Sequence, residues 1–332
     1  MPVLNLTSSG LYCAAGDFYI DPWRKVGRAL ITHGHSDHAS KGHRAYLCTS
    51  GTAPVLRHRL GVSAQAVGYG QRLQIGAASV SFHPAGHVPG SAQIRVEVAG
   101  EVWVVSGDYK LEADGLSETF EPVSCHTFIS ECTFGLPIFH WRPQAMIFAE
   151  IRDWWQANRA AGRISAIAAY SLGKAQRLLA GLADGPGPVL THRVISQTTD
   201  VLRAQGYPLP EVVPAAAFDP IRHAGALLLA PPSALTGTWA DPFGPVALAG
   251  ASGWMAMARR RGSGTGFVLS DHADWPGLNR AIRASGAGQV LLTHGYSAAF
   301  ARWLRQQGVL ADVLGPGLGL GPAPDRRPEE VE

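Results

Sequence analysis

None of the apolar runs in this chain reaches the ~18 residues needed to cross a bilayer. The opening residues, MPVLNLTSSG, lack the basic-then-apolar order of a secretion signal. The four cysteines, Cys13, Cys48, Cys125 and Cys132, form no CxxC pair and no framework spacing, so free thiols in a reducing compartment are expected. Together these absences point to a cytoplasmic protein with no membrane partner. Charge is also scarce. Charged residues are 16% of the chain, and 28 basic against 25 acidic residues leave a net charge of +3. That is too mild to mark a nucleic-acid binder on its own, so any contact with a polyanion must come from local patches. No internal repeat is visible.

What is present is a chain of 332 residues with 46% hydrophobic content. That length and composition suit a compact protein of one large or two coupled domains. Short apolar runs repeatedly end in a residue able to do chemistry. Leu30-Ile31-Thr32 leads to His33, and Val80-Ser81-Phe82 leads through Pro84-Ala85-Gly86 to His87. The run 102–105 leads to Asp108, and Phe128-Ile129-Ser130 to Glu131. The run 267–270 leads to Asp271-His272, and the run 290–293 to His294. Runs of this length bounded by glycine and polar residues read as buried strands. Six such ends predict one sheet rim carrying a single site.

The middle of the chain changes rhythm. Pro143 to Ala161 reads as a helix with proline in its first turn and Gly162 as a stop. Ile164 to Tyr170 reads as a strand, followed by a turn and helix at SLGKAQRLLAGL, and further strands are expected over 226–230 and 246–249. Alternating strand and helix predicts a parallel α/β layer. An α/β domain inserted at 136–263 is therefore expected, interrupting a first domain of 1–135 and 264–315. The Gly- and Pro-rich tail, 316–332, is expected to be dispensable to the fold. A helix over 297–307 is expected to begin on Ser297 as its N-cap.

The stretch ITHGHSDHAS, residues 31–40, carries the sharpest signal. His33 and His35 are two apart, so in an extended segment they face the same way. A following turn would let Asp37 and His38 face a second position. Imidazoles with a carboxylate suit zinc, with manganese or iron as alternatives. A pair of metals about 3.5–4 Å apart is the common clamp for phosphate-ester hydrolysis. Asp108, in SGDYK, is the candidate oxygen donor shared between two ions. His87, in GHVPGS, would complete the first ion's set and His294, in LTHGY, the second. His83 competes with His87, which is preferred because Gly86 and Gly90 flank it. Asp21, before Pro22, is either a turn residue or a group that hydrogen-bonds the metal loop.

These motifs resemble the metallo-β-lactamase fold. Glu131 in SECTFG and His272 in LSDHADWPG resemble the further motifs of its β-CASP subgroup, whose members are nucleases. DFYIDPW, AYSLGKAQ and GFVLSDHADWPGL are similar, more narrowly, to the bacterial DNA-ligase-associated exonucleases. The resemblance runs from about residue 10 to 315. It implies an αββα sandwich with an inserted β-CASP α/β cap. It also implies one ion on His33, His35 and His87, another on Asp37, His38 and His294, and Asp108 shared. A hydroxide between the ions would attack phosphorus, and His272, oriented by Glu131, would protonate the leaving oxygen. The expected activity is a two-metal DNA exonuclease acting in repair on single strands or ends, with a DNA ligase or helicase as a pathway partner. An RNA nuclease of the same fold, a small-molecule hydrolase and a non-catalytic binding subunit are the alternatives. Substrate contacts are expected at Ser171, Lys174 and Arg177, and at Ser252-Gly253 beside Arg259–Arg261, where a solvated helix face is the competing reading. Trp141, Trp239 and Trp254 are either base-stacking platforms or core residues.

Overall fold

In a computed structural model, residues 2–260 and 265–315 are described. The side chains of Arg259–Arg261 and the tail from residue 316 lie outside the described residues. The described residues divide into two compact units, one of residues 2–140 with 272–315 and the other from Trp141–Asp271.

The first unit opens with β1 (Asn5–Thr7), β2 (Gly10–Cys13), β3 (Phe18–Ile20), β4 (Arg28–Leu30), β5 (Ala45–Thr49), α1 (Thr52–Leu60) and β6 (Gln65–Val67), whose strands form one sheet in sequence order. A second sheet begins with β7 (Leu73–Ile75), β8 (Ala78–Pro84), β9 (Ala92–Val98), β10 (Glu101–Val105) and β11 (Thr127–Glu131).

The second unit runs through α2 (Gln144–Ala160), β12 (Ile164–Ala168), α3 (Lys174–Gly181), β13 (Val189–Thr191), α4 (Arg193–Arg203), β14 (Val213–Pro214), β15 (Leu227–Ala230), α5 (Pro232–Leu235), β16 (Val246–Ala251), α6 (Met255–Arg260) and β17 (Gly266–Phe267). Its strands pair in parallel in the order β14-β13-β15-β12-β16-β17. Ile147, Ile151 and Trp155 of α2, Leu178 of α3 and Ile195 of α4 pack with Leu227 and Leu229 on one face. Ala166, Leu190, Leu228 and Phe243 form a second core on the other. Both faces of β15 are buried, which is why LLLA reads as an unbroken apolar run.

The chain then returns to the first unit with α7 (Trp275–Ser285), β18 (Gln289–Thr293), α8 (Ser297–Gln306) and β19 (Leu310–Val313), which complete the second sheet as β19-β18-β11-β10-β9-β8-β7. Alternation sorts the side chains. Val105, Ile129 and Leu291 face Phe18, Ile20, Leu30 and Leu47 of the first sheet in a shared core. Their neighbours Val104, Phe128 and Val290 face the opposite way, onto Leu278 and Ile282 of α7 and Phe300 and Leu304 of α8. Ala29, Tyr46 and Cys48 turn outward from the first sheet and meet Leu56 of α1. Each buried aliphatic side chain contributes about 1.5–3 kcal/mol, so the core between the sheets fixes their pairing.

Local signals explain most ends. Asp274 caps α7 by accepting the Gly277 N–H at 2.8 Å, and Pro276 suits its first turn. Two expectations fail. Ser297 is the first residue inside α8, and Tyr296 occupies the cap position without a side-chain cap. The run 267–270 does not continue as a strand. Only Gly266–Phe267 pairs, in the second unit's sheet, because side chains from α3 take the carbonyls that follow.

Candidate metal centre

β4 ends at Leu30, and Thr32 begins the loop that holds the clustered histidines. The Thr32 carbonyl accepts the Ala92 N–H at 2.9 Å, joining this loop to the start of β9. The amides of His38 and Ala39 both donate to the His35 carbonyl, a helical turn that brings His38 back beside His33. Their ring centroids lie 4.1 Å apart. Two glycines permit the close packing. A Cβ on Gly107 would lie 2.7 Å from that of Thr32, and one on Gly295 2.4 Å from the Cys132 carbonyl oxygen. Both have positive φ.

His33, His35 and His87 stand almost mutually perpendicular, with interplanar angles of 85°, 81° and 82°. His35 Nδ1 lies 3.0 Å from His33 Nε2 and 3.1 Å from His87 Nε2. A ring nitrogen offers one proton or one lone pair, so His35 Nδ1 can complete at most one of these contacts as a hydrogen bond. Donors of a tetrahedral zinc at 2.0–2.1 Å sit about 3.3 Å apart, close to the spacing seen. Asp108 Oδ2 lies 3.6 Å from His33 Nε2, 3.7 Å from His87 Nε2 and 3.3 Å from His38 Nε2. One carboxylate oxygen thus stands between two donor groups, His33-His35-His87 and Asp37-His38. His38 Nε2 is buried, 3.6 Å from Asp37 Oδ2, and has no hydrogen-bond partner. A buried polar atom left without a hydrogen bond is costly unless something meets it.

The other ring atoms are fixed from behind. Asp21, held at φ 42°, accepts the Thr32 N–H at 2.8 Å on one oxygen. Its other oxygen accepts the Thr32 hydroxyl at 2.6 Å and His38 Nδ1–H at 2.7 Å. With its proton given to Asp21, Thr32 Oγ1 can only accept, and with His38 Nδ1–H turned to Asp21 the remaining donor is His33 Nδ1, at 3.1 Å. This network places a proton on each Nδ1 and turns both Nε2 atoms toward Asp108, the orientation a ligating histidine needs. Burial and the imidazoles of His38, His35 and His87 hold His33 well below the usual histidine range. Burial opposes charge on Asp108, but His38, His272 and His33 hold its carboxyl well below the usual range. Burial likewise opposes charge on His38, yet Asp108, Asp37 and the bond to Asp21 raise it well above. Neutral His33 and anionic Asp108 are the forms a cation requires. These residues fit a divalent metal.

His294, at φ 58°, stacks on His38 with ring centroids 5.5 Å apart, but it belongs to neither donor group. His83 faces elsewhere, toward Ser81 Oγ at 3.0 Å and Glu121 Oε1 at 3.1 Å. His272 Nδ1 lies 2.9 Å from Glu131 Oε1, and its ring centroid is 4.7 Å from that of His87. Glu131 is buried, whereas His272 keeps 21% of its side chain exposed.

Residues singled out in the second unit are placed differently. Lys174 and Arg177 are both buried in α3. Lys174 Nζ and Arg177 Nη1 each lie 3.0 Å from Asp271, one on each oxygen. They also donate to the Leu269 and Ser270 carbonyls. In the structure these cations face an internal carboxylate. Ser171 follows β12, and Ser252 and Gly253 follow β16, the neighbouring parallel strand. Ser252 Oγ accepts the Trp254 N–H at 3.2 Å, and Trp239 packs against His192 and Phe243 at the edge of a core. Thr32, Tyr109 and Thr133 were not singled out from sequence, since a hydroxyl or an amide that acts through a neighbour leaves no spacing signal. No helix among the described residues is long and apolar enough to cross a membrane.

Comparison with models of protein families finds no match. The chain is 31% identical over 316 residues to a probable DNA ligase of Opitutus terrae, covering 93% of this chain and 31% of that protein. It is 27% identical over 142 residues to the RNase aCSPSF2 of Saccharolobus solfataricus, covering 41% and 28%. It is 29% identical over 147 residues to the ribonuclease TTHA0252 of Thermus thermophilus, covering 36% and 34%. The chain spans about a third of the length of these curated relatives. A crystal structure of a protein of unknown function from Enterococcus faecalis V583 shares the fold, with a TM-score of 0.59 at 11% identity, covering 87% of this chain and 79% of that one.

Proposed function

We propose that this chain is a metal-dependent nuclease that hydrolyses phosphodiester bonds of DNA from an end. The observation that carries this reading is the convergence of His33, His35, His87, Asp37 and His38 around one oxygen of Asp108, with His38 Nε2 buried and unmatched. In this reading the layers of the first unit are a metallo-β-lactamase αββα sandwich and the second unit is a β-CASP cap. His33, His35 and His87 would hold one ion, Asp37, His38 and His294 the other, with Asp108 shared. Zinc suits the nitrogen-rich set and manganese is the alternative. Divalent cations supply the Lewis acidity that acidifies water and offsets charge on phosphate oxygens. The chain supplies the proton. Glu131 accepts His272 Nδ1–H, which leaves Nε2 to deliver a proton to the departing sugar oxygen, general acid catalysis worth ~10²–10⁴ in rate.

DNA is favoured because nearly the whole chain aligns with part of a protein named a probable DNA ligase. An end-trimming activity joined to a sealing activity makes chemical sense in repair. Ser171, Ser252 and Gly253, beyond the carboxyl ends of two adjacent parallel strands, are where backbone N–H groups could meet a phosphate. A second reading, RNA cleavage, is favoured by the two relatives named as ribonucleases.

The test is digestion of DNA labelled separately at each terminus, with zinc or manganese and with labelled RNA competing in the same tube. Terminal release from DNA that His33→Ala abolishes is the expected result. No cleavage by wild type, or equal cleavage by His33→Ala, rejects a nuclease. Preferential loss of the RNA moves the reading to a ribonuclease.

A further inference from the structure

We propose that Glu131, besides orienting His272 as read above, is the positioning residue for the loop carrying Asp108, with Thr133 holding it in register. The inference rests on the reading of the site as a metal centre. Glu131 ends β11, which pairs in parallel with β10 on one side and β18 on the other. β10 leads within three residues to Asp108, and β18 leads directly to His294. Glu131 therefore sits at the carboxyl end of the strand between the two that deliver candidate ligands.

Its carboxylate is fully engaged. Oε1 accepts the Tyr109 N–H at 2.9 Å and faces His272 Nδ1 at 2.9 Å. Oε2 accepts the Thr133 N–H at 3.2 Å and the Thr133 hydroxyl. Four donors fill the roughly four lone-pair sites of a carboxylate. Asp108, Glu131 and His272 have donor atoms close enough to suggest a third ion, but Glu131 has no lone pair left to offer one. It is a fastening point. Tyr109 follows Asp108 directly, so the bond from its amide fixes the backbone beside the shared ligand. Two more bonds fasten the same loop, Glu131 N–H to Ser106 Oγ at 3.2 Å and Tyr109 Oη to Ser130 Oγ at 2.9 Å. One oxygen thus sets the place of Asp108 and the direction of His272 together.

Glu131→Gln separates the two ends. An amide presents an oxygen on one side and an NH₂ on the other. Either the Tyr109 and His272 donors or the Thr133 N–H would then meet another donor. The experiment is titration of zinc or manganese into metal-free protein against a competing chelator, alongside the cleavage assay. Glu131→Gln is expected to weaken metal binding by about 10–100-fold, the cost typical of losing a group that orients a ligand. His272→Ala, which leaves the Tyr109 bond intact, should keep wild-type metal affinity and lose only cleavage. Thr133→Val should weaken metal binding in the same direction, and Thr133→Ser should restore it. Glu131→Gln binding metal as tightly as wild type overturns the proposal. Should that variant fail to fold, Thr133→Val with wild-type affinity overturns it equally, and weakened Val with rescued Ser supports it. Wild type that takes up no divalent ion defeats the metal reading itself, and this inference with it.

Discussion

Two clusters of buried charge, one in each unit, solve the same problem in opposite ways. In the second unit, Lys174 and Arg177 grip the two oxygens of Asp271 and donate to neighbouring carbonyls. Each of these charges faces an opposite one. In the first unit, His35 Nδ1 is approached by two ring nitrogens, His38 Nε2 has no hydrogen-bond partner, and one Asp108 oxygen lies near three imidazoles. Groups that satisfy one another hold a fold together. Groups that crowd donor atoms together, with the buried His38 Nε2 left without a hydrogen bond, suit a cation instead.

The comparison predicts a double dissociation. Asp108→Ala has the larger functional effect. Removing the oxygen shared by the two donor groups should lower cleavage by about a thousandfold or more. Metal uptake should fall with it, while the unfolding midpoint of the metal-free protein moves little. Asp271→Ala should do the reverse. It leaves two buried cations without their carboxylate, which costs about 3–5 kcal/mol. Denaturant unfolding followed by tryptophan fluorescence would read this as an earlier midpoint, with metal stoichiometry unchanged. An Asp271→Ala protein that loses metal but unfolds as wild type would erase the distinction between the two clusters.

How much of this was legible in the sequence follows from the same contrast. The spacing of His33, His35, Asp37 and His38 stands out because donors to one metal centre must be spaced to meet within a few residues. Asp108 and His87 are legible because strands of matched apolar length bring their ends to one rim. Lys174 and Arg177 looked like phosphate contacts, since a sequence shows charge but not what lies opposite it. Their partner is Asp271, 94 residues beyond Arg177 in the chain, and no local pattern could supply it. The run 267–270 looked like a strand for the same reason, because its carbonyls are claimed by side chains from a distant helix. Asp21 was readable as a turn residue or as a support for the metal loop. In the structure its carboxylate bonds Thr32 and His38.

The cysteines give the smallest and most exacting test, because they are titratable groups of the first unit with no charged partner set against them by an ion pair. All four are free thiols. Burial pushes Cys48 up to about 12, and burial, against a hydrogen bond from Ser285, pushes Cys125 up to about 11. A raised pKa keeps the unreactive thiol form until the pH approaches that value. At pH 8 both should therefore alkylate slowly in the folded protein, Cys125 by a few hundredfold relative to a free thiol near 8.5, with Cys48 slower still. Mass spectrometry after timed iodoacetamide treatment, with a fully denatured sample as the reference, measures both sites at once. Modification of Cys125 at the denatured rate would mean that burial in this region is too shallow to govern its buried groups, and the contrast between matched and unmatched clusters would lose its physical basis.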